Sequence, residues 1–101
     1  MIMKMSIEDF LSSTFKIDFC VDEHTRYVAV IEPEWEDDWV TVSVGEYYYD
    51  VNLWLDDDDV VRFAVYRLKS DPDNSPDFLT MIDSKVVCSD GCSSAVITVA
   101  V

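Results

Sequence analysis

The sequence predicts a mainly β (α+β) fold: an antiparallel meander of six or seven strands, as an open sheet or a small barrel, with one short N-terminal helix. Three observations carry this. Apolar and polar residues alternate over most of the chain, the period of strands with one face buried. Short acidic or Gly-containing turns separate the alternating runs. A capping signal precedes the one stretch with helical spacing.

Ser6-Ile7-Glu8-Asp9 has the form of a capping box, a Ser with an acid three residues on, and Ile7, Phe10 and Leu11 follow at helical spacing. A helix is therefore expected over residues 7–13, with this apolar stripe docked on the sheet. Phe15, Ile17, Phe19 and Val21 then alternate with Lys16, Asp18, Cys20 and Asp22. Beyond the polar run Asp22-Glu23-His24-Thr25, residues 27–31 read as the hairpin partner of that strand. From Trp39 to Val44 the alternation places Val40, Val42 and Val44 on one face, and Gly45-Glu46 forms a two-residue turn. In the next strand, 47–55, Tyr47, Tyr49, Val51, Leu53 and Leu55 share a face. Asp56-Asp57-Asp58-Asp59 is the following turn, and residues 60–68 the strand after it.

Residues 69–77 are polar, contain Pro72 and Pro76, and form the one long loop. Ser75-Pro76-Asp77 has the form of a helix start, so a helical turn over 77–82 competes with a strand there. Residues 86–88 and 95–101 are expected to close the sheet as a hairpin around Ser89-Asp90-Gly91. No internal repeat or linker interrupts the pattern, and residues 1–101 are expected to form one domain.

Composition bounds the function. Half of the 101 residues are apolar and 13% are aromatic, enough for a packed interior. Twenty-one acids face seven bases, a formal charge of -14. Such a charge repels nucleic acid and anionic membranes, so neither is an expected direct partner. It favours basic partners, above all nucleic-acid-binding proteins and nucleases. Met1-Ile2-Met3-Lys4-Met5 is followed at once by Ser6, Glu8 and Asp9, without a signal peptide's apolar core, and no stretch nears the roughly 20 apolar residues that span a bilayer. A cytoplasmic protein is expected, with three reduced cysteines and Cys20 packed as a small hydrophobe.

The acids are also placed unevenly. Between Arg26 and Arg62, 35 residues carry eleven acids and no base: Glu32, Glu34, Glu36, Asp37, Asp38, Glu46, Asp50 and the run Asp56, Asp57, Asp58, Asp59. If the backbone is extended, Glu32, Glu34 and Glu36 recur every roughly 6.6 Å, the scale of successive phosphates on a nucleic-acid strand. In a meander, the connections at 33–38 and 56–59 fall at the same end of the sheet, because two strands separate them. Trp35, Trp39 and Trp54 are interleaved with these acids, and Trp35, inside an acidic loop, is the one expected to be exposed. The expected partner-binding residues are Glu32, Glu34, Trp35, Glu36, Asp37, Asp38, Asp56, Asp57, Asp58 and Asp59.

Catalytic material is thin: one histidine, His24, in an acidic turn, and two glycines, too few for a phosphate-cradling loop. No enzyme activity and no cofactor are expected. Cys20-x3-His24 and Cys88-x3-Cys92 have spacings that zinc ligands use, but 64 residues separate the two pairs, and no metal is expected. The resulting expectation is a nucleic-acid-mimicking inhibitor that blocks a basic DNA or RNA channel. Its likeness to phage-encoded inhibitors of CRISPR and restriction systems is one of size, charge and intracellular setting, with no shared motif. The alternatives are an immunity protein or antitoxin covering a basic nuclease toxin, and a viral or secretion-machine assembly component. A homodimer through an edge strand is compatible with each.

Overall fold

The computed structural model describes residues 2–68, 85–92 and 94–100. The expected loop at 69–77 and the helix-or-strand segment at 77–82 lie outside them. The elements are α1 (Ile7–Leu11), β1 (Thr14–Cys20), β2 (Arg26–Ile31), β3 (Asp37–Val44), β4 (Tyr47–Leu55), β5 (Val61–Leu68), β6 (Lys85–Ser89) and β7 (Ala95–Ala100). The fold is mainly β, with seven antiparallel strands and one short helix among the described residues, as the alternation predicts.

The strands divide into two sheets, ordered β2-β1-β7 and β3-β4-β5-β6. The turns expected at 45–46 and 56–59 fall there, the one expected at 22–25 begins one residue earlier at Val21, and Gly45 takes the left-handed φ of 64° that its turn requires. Between β2 and β3 the chain changes sheets. Pro33, which is buried, has no N–H to continue a ladder, and residues 34–36 form a bend instead of a hairpin. The second change corrects the sequence reading: β6 and β7 do not form a closing hairpin. Gly91 turns the chain with φ 82°, but β6 pairs with β5 and β7 pairs with β1, Ile17 opposite Ile97. A β1-β2 hairpin alone is marginal in water, and β7 gives it a third strand with Ala95, Ile97 and Val99 turned to the core.

One hydrophobic core lies between the sheets. Phe15, Ile17, Phe19, Ala29 and Ile31 enter it from one side, and Tyr49, Val51, Leu53, Val61, Phe63 and Val65 from the other. The Phe19 ring meets Tyr27 of its own sheet at 6.0 Å and Tyr49 of the facing sheet at 5.9 Å. Burying each such phenylalanine contributes about 1.5–3 kcal/mol. The helix is shorter than expected. Ser6 Oγ accepts from Asp9 N–H at 3.2 Å as the cap, but Ser12 and Ser13 turn their hydroxyls back onto the carbonyls of Glu8 and Asp9, which favours termination. Only Phe10 of its apolar stripe is buried, against Phe15 at 5.3 Å; Ile7 and Leu11 stay exposed. No helix among the described residues is long and apolar enough to cross a membrane.

Candidate functional site: an acidic end with aromatic clefts

The meander β3-β4-β5 brings the two acidic connections together. Asp37 pairs with Trp54, and Leu55 N–H donates to the Glu36 carbonyl at 2.8 Å, so the 34–38 bend and the 56–59 turn stand side by side. Two of the acids shape this end. Asp38 accepts from Glu34 N–H at 3.0 Å and from Trp39 N–H at 2.8 Å, which closes the bend. Asp56 accepts from Asp58 N–H, Val60 N–H and Arg62 Nε at 2.8, 3.0 and 2.8 Å. The Val60 N–H first, and the Arg62 guanidinium second, hold the Asp56 carboxyl below the ordinary carboxylate range. This turn also puts Asp59 at a φ of 61°, a conformation that Asp tolerates better than most residues.

Glu34, Glu36, Asp37, Asp57, Asp58 and Asp59 remain exposed, and they form the acidic surface. Two expectations change here. The stretch without bases in sequence is not free of bases in space. Arg62, just outside it, folds back onto the turn and is shared by Asp56 and Asp90, at 2.8 and 2.6 Å. The regular spacing of Glu32, Glu34 and Glu36 also fails, because the chain bends at 34–36 and the Thr14 hydroxyl donates to Glu32 at 3.4 Å. The acids form a clustered ridge, not a ladder.

Aromatic side chains flank the ridge. Trp35 is 67% exposed, as expected from its acidic loop, but so is Trp39, at 62%. Two clefts share Glu36 and Asp37 as a common wall. The first, about 500 Å³, lies on the outer face of β3-β4-β5 and is lined by Trp39, Asn52, Trp54 and Tyr66, with Asp38 and Asp57 at its rim. The second, about 560 Å³, runs between Trp35, Glu34 and the exposed Ile7 and Leu11 of α1. Trp39, Asn52, Trp54 and Tyr66 were not among the expected binding residues. The signal for the two indoles was their parity. Trp39 is out of phase with Val40, Val42 and Val44, and Trp54 with Leu53 and Leu55, so both face away from the core.

The four residues at zinc-like spacing do not assemble: among the described residues, no three His, Cys, Asp or Glu side chains converge into a metal-sized cluster. Cys20 is half-buried, not packed in the core, and its sulfur accepts from Arg26 at 2.8 Å. His24 sits exposed in the β1-β2 turn, where its backbone N–H donates to Asp22 at 2.8 Å. Cys88 is buried, and desolvation pushes its thiol up to about 11, so it is an unreactive core residue. Cys92 lies 3.0 Å from the Ser94 hydroxyl, which lowers its thiol pKa. Compared with known families, curated proteins and solved structures, the chain matches none.

Proposed function

We propose that the protein is a nucleic-acid-mimicking inhibitor. It occupies the basic DNA- or RNA-binding channel of an effector protein in the cytoplasm, in the manner of phage-encoded inhibitors of CRISPR or restriction systems. One observation carries this reading: six exposed acids from two connections stand on one ridge, where Arg62 is held by Asp56 and Asp90 and the exposed Lys4, opposite Val60, is outnumbered. A concentrated negative field steers encounter with a basic groove, and exposed indoles supply apolar anchors once the surfaces meet. An immunity protein covering a basic nuclease would use the same surface, and the identity of the captured partner separates the two.

The test is capture of partners on the tagged, full-length protein, followed by elution with rising salt and, separately, with added DNA or RNA. The reading predicts a nucleic-acid-binding protein that moderate salt and nucleic acid both release. A partner that nucleic acid does not displace contradicts it.

A second reading, an assembly component, has its own observation. Among the described residues, strand β7 is an edge of its sheet, and it carries no charge over residues 95–100, in a chain of net charge -14. It borders an apolar groove of about 580 Å³ lined by Ile2, Val61, Phe63, Ile97 and Val99. Unpaired, uncharged edges pair readily with other strands. Under this reading the molar mass in solution exceeds that of one chain and does not fall with added salt; a monomer at all concentrations counts against it.

A further inference from the structure

We propose that the cleft on the outer face of β3-β4-β5 receives an arginine side chain of the basic partner, its guanidinium against the indoles of Trp39 and Trp54 and its charge facing Asp37 and Asp57. This rests on the acidic ridge being the binding surface, and adds which basic group that surface selects.

The register builds the cleft. Trp39 lies opposite Asn52, and Trp54 opposite Asp37, so the two indoles occupy diagonal positions on adjacent strands. Diagonal neighbours on one face lie about 7–8 Å apart at the backbone, within reach of large aromatic side chains. The residues between and beside them are smaller: Asn52 is half-buried, and its neighbour on β5 is Ala64. The low floor between two bulky walls is what makes the face concave. Tyr66 closes the far side, and Glu36, Asp37, Asp38 and Asp57 stand along the near rim.

No described residue fills this place. Arg62 is the cross-strand neighbour of Trp54, but its Nε and Nη1 are turned to Asp56 and Asp90. Among the described residues, the stacked cation is Arg67, 4.7 Å from the centre of the Tyr47 ring, near the other end of the strands. Among the described residues, the indole faces at the acidic end therefore carry no cation, while acids surround them. A planar guanidinium fits such a slot better than an ammonium. It stacks on aromatic faces, is more weakly hydrated, and donates in the plane to carboxylates at the rim. The about 500 Å³ of the cleft holds one such side chain with room for water. The Asn52 amide in the floor offers a further hydrogen-bonding group to it.

The test titrates the full-length protein with nona-arginine and with nona-lysine peptides. Affinity is read by calorimetry, and the three indole N–H resonances are followed by NMR. The proposal predicts that nona-arginine binds more tightly by about threefold or more. The Trp39 and Trp54 resonances should shift more than that of Trp35. Trp39→Ala, at an exposed position, should remove the preference for arginine, bringing the two peptides to similar affinity. Arginine also prefers carboxylates geometrically, so a preference that survives Trp39→Ala overturns the cleft, as does a shift confined to Trp35. In either case charge-driven binding of both peptides leaves the acidic-ridge reading standing. Binding of neither peptide at low salt overturns both.

Discussion

The two outer faces of the molecule cover the same core from opposite sides, and they differ in what they do with charge and apolar surface. On β2-β1-β7 the outward residues are largely aliphatic with charge of both signs: Val28 and Val96 flank Asp18, which pairs with Arg26 at 2.9 Å, and Val30 lies opposite Lys16. On β3-β4-β5 the outward residues are aromatic and acidic: Asp37, Trp39, Asp50, Trp54 and Tyr66, with the ridge at one end. Valines and paired charges serve an exposed strand face without any partner. An exposed Trp39 and a half-buried Trp54 beside an excess of acids cost solubility and raise self-repulsion, so they make physical sense as a surface that meets something basic.

The comparison assumes one core beneath both faces, and the largest expected effect tests that. Phe19→Ala removes the ring that touches both sheets and should cost about 3–5 kcal/mol in urea unfolding. Tryptophan fluorescence, which reports only the acidic side, and circular dichroism, which reports all strands, should then give one coincident transition. Separate transitions would show that the faces belong to independent units. A smaller loss, in the same single transition, is expected of Gly45→Val in the β3-β4 turn. At φ 64° with no atoms nearby, its cost is conformational, about 1–2 kcal/mol, read from the urea midpoint.

The acids themselves divide into two kinds, which sharpens the contrast. Asp56→Asn should lower the melting temperature, because the carboxylate that gathers Val60 N–H, Asp58 N–H and Arg62 is lost. Asp57→Asn, Asp58→Asn and Asp59→Asn together should leave it unchanged or raise it, since they relieve repulsion and Asn accepts the left-handed conformation at 59. The Asp56 effect depends on pH with a fixed sign. Its folded pKa is depressed, so the stability it contributes is present above the unfolded value of about 3.9 and disappears as pH falls through the folded value. The difference in melting temperature between wild type and Asp56→Asn should therefore vanish in acid. Val28→Thr with Val96→Thr, on the aliphatic face, should shift stability least, within about 0.5 kcal/mol for each site, and leave partner binding intact.

Much of this was legible in the sequence. The period-two runs locate the strands because the core selects alternate residues, and Ser6, Gly45 and the 56–59 run mark where the chain must cap or turn. The shared end of the two acidic connections follows from strand counting alone. What the pattern does not encode is which strand each one joins. Residues 95–100 alternate in the same way whether they pair with β6 or, as they do, with β1, and that choice is set by a core needing a third strand on one side. Within the site, residue type and position in the acidic run do not distinguish Asp57 from Asp56; the backbone N–H groups that converge on Asp56 do so. The aromatic cleft was half visible, since the phase of Trp39 and Trp54 turned them outward, whereas Asn52 and Tyr66 join them only through the register of three strands.

The central claim is that the ridge, not the fold as a whole, captures a basic partner. The most direct measurement compares proteins captured from one lysate by three forms: wild type, the Val28→Thr/Val96→Thr variant, and a variant carrying Glu34→Gln, Glu36→Gln, Asp37→Asn, Asp57→Asn, Asp58→Asn and Asp59→Asn. The account predicts that the first two retain the same basic nucleic-acid-binding protein and that the third, folded by circular dichroism, retains none. Equal capture by all three would contradict it.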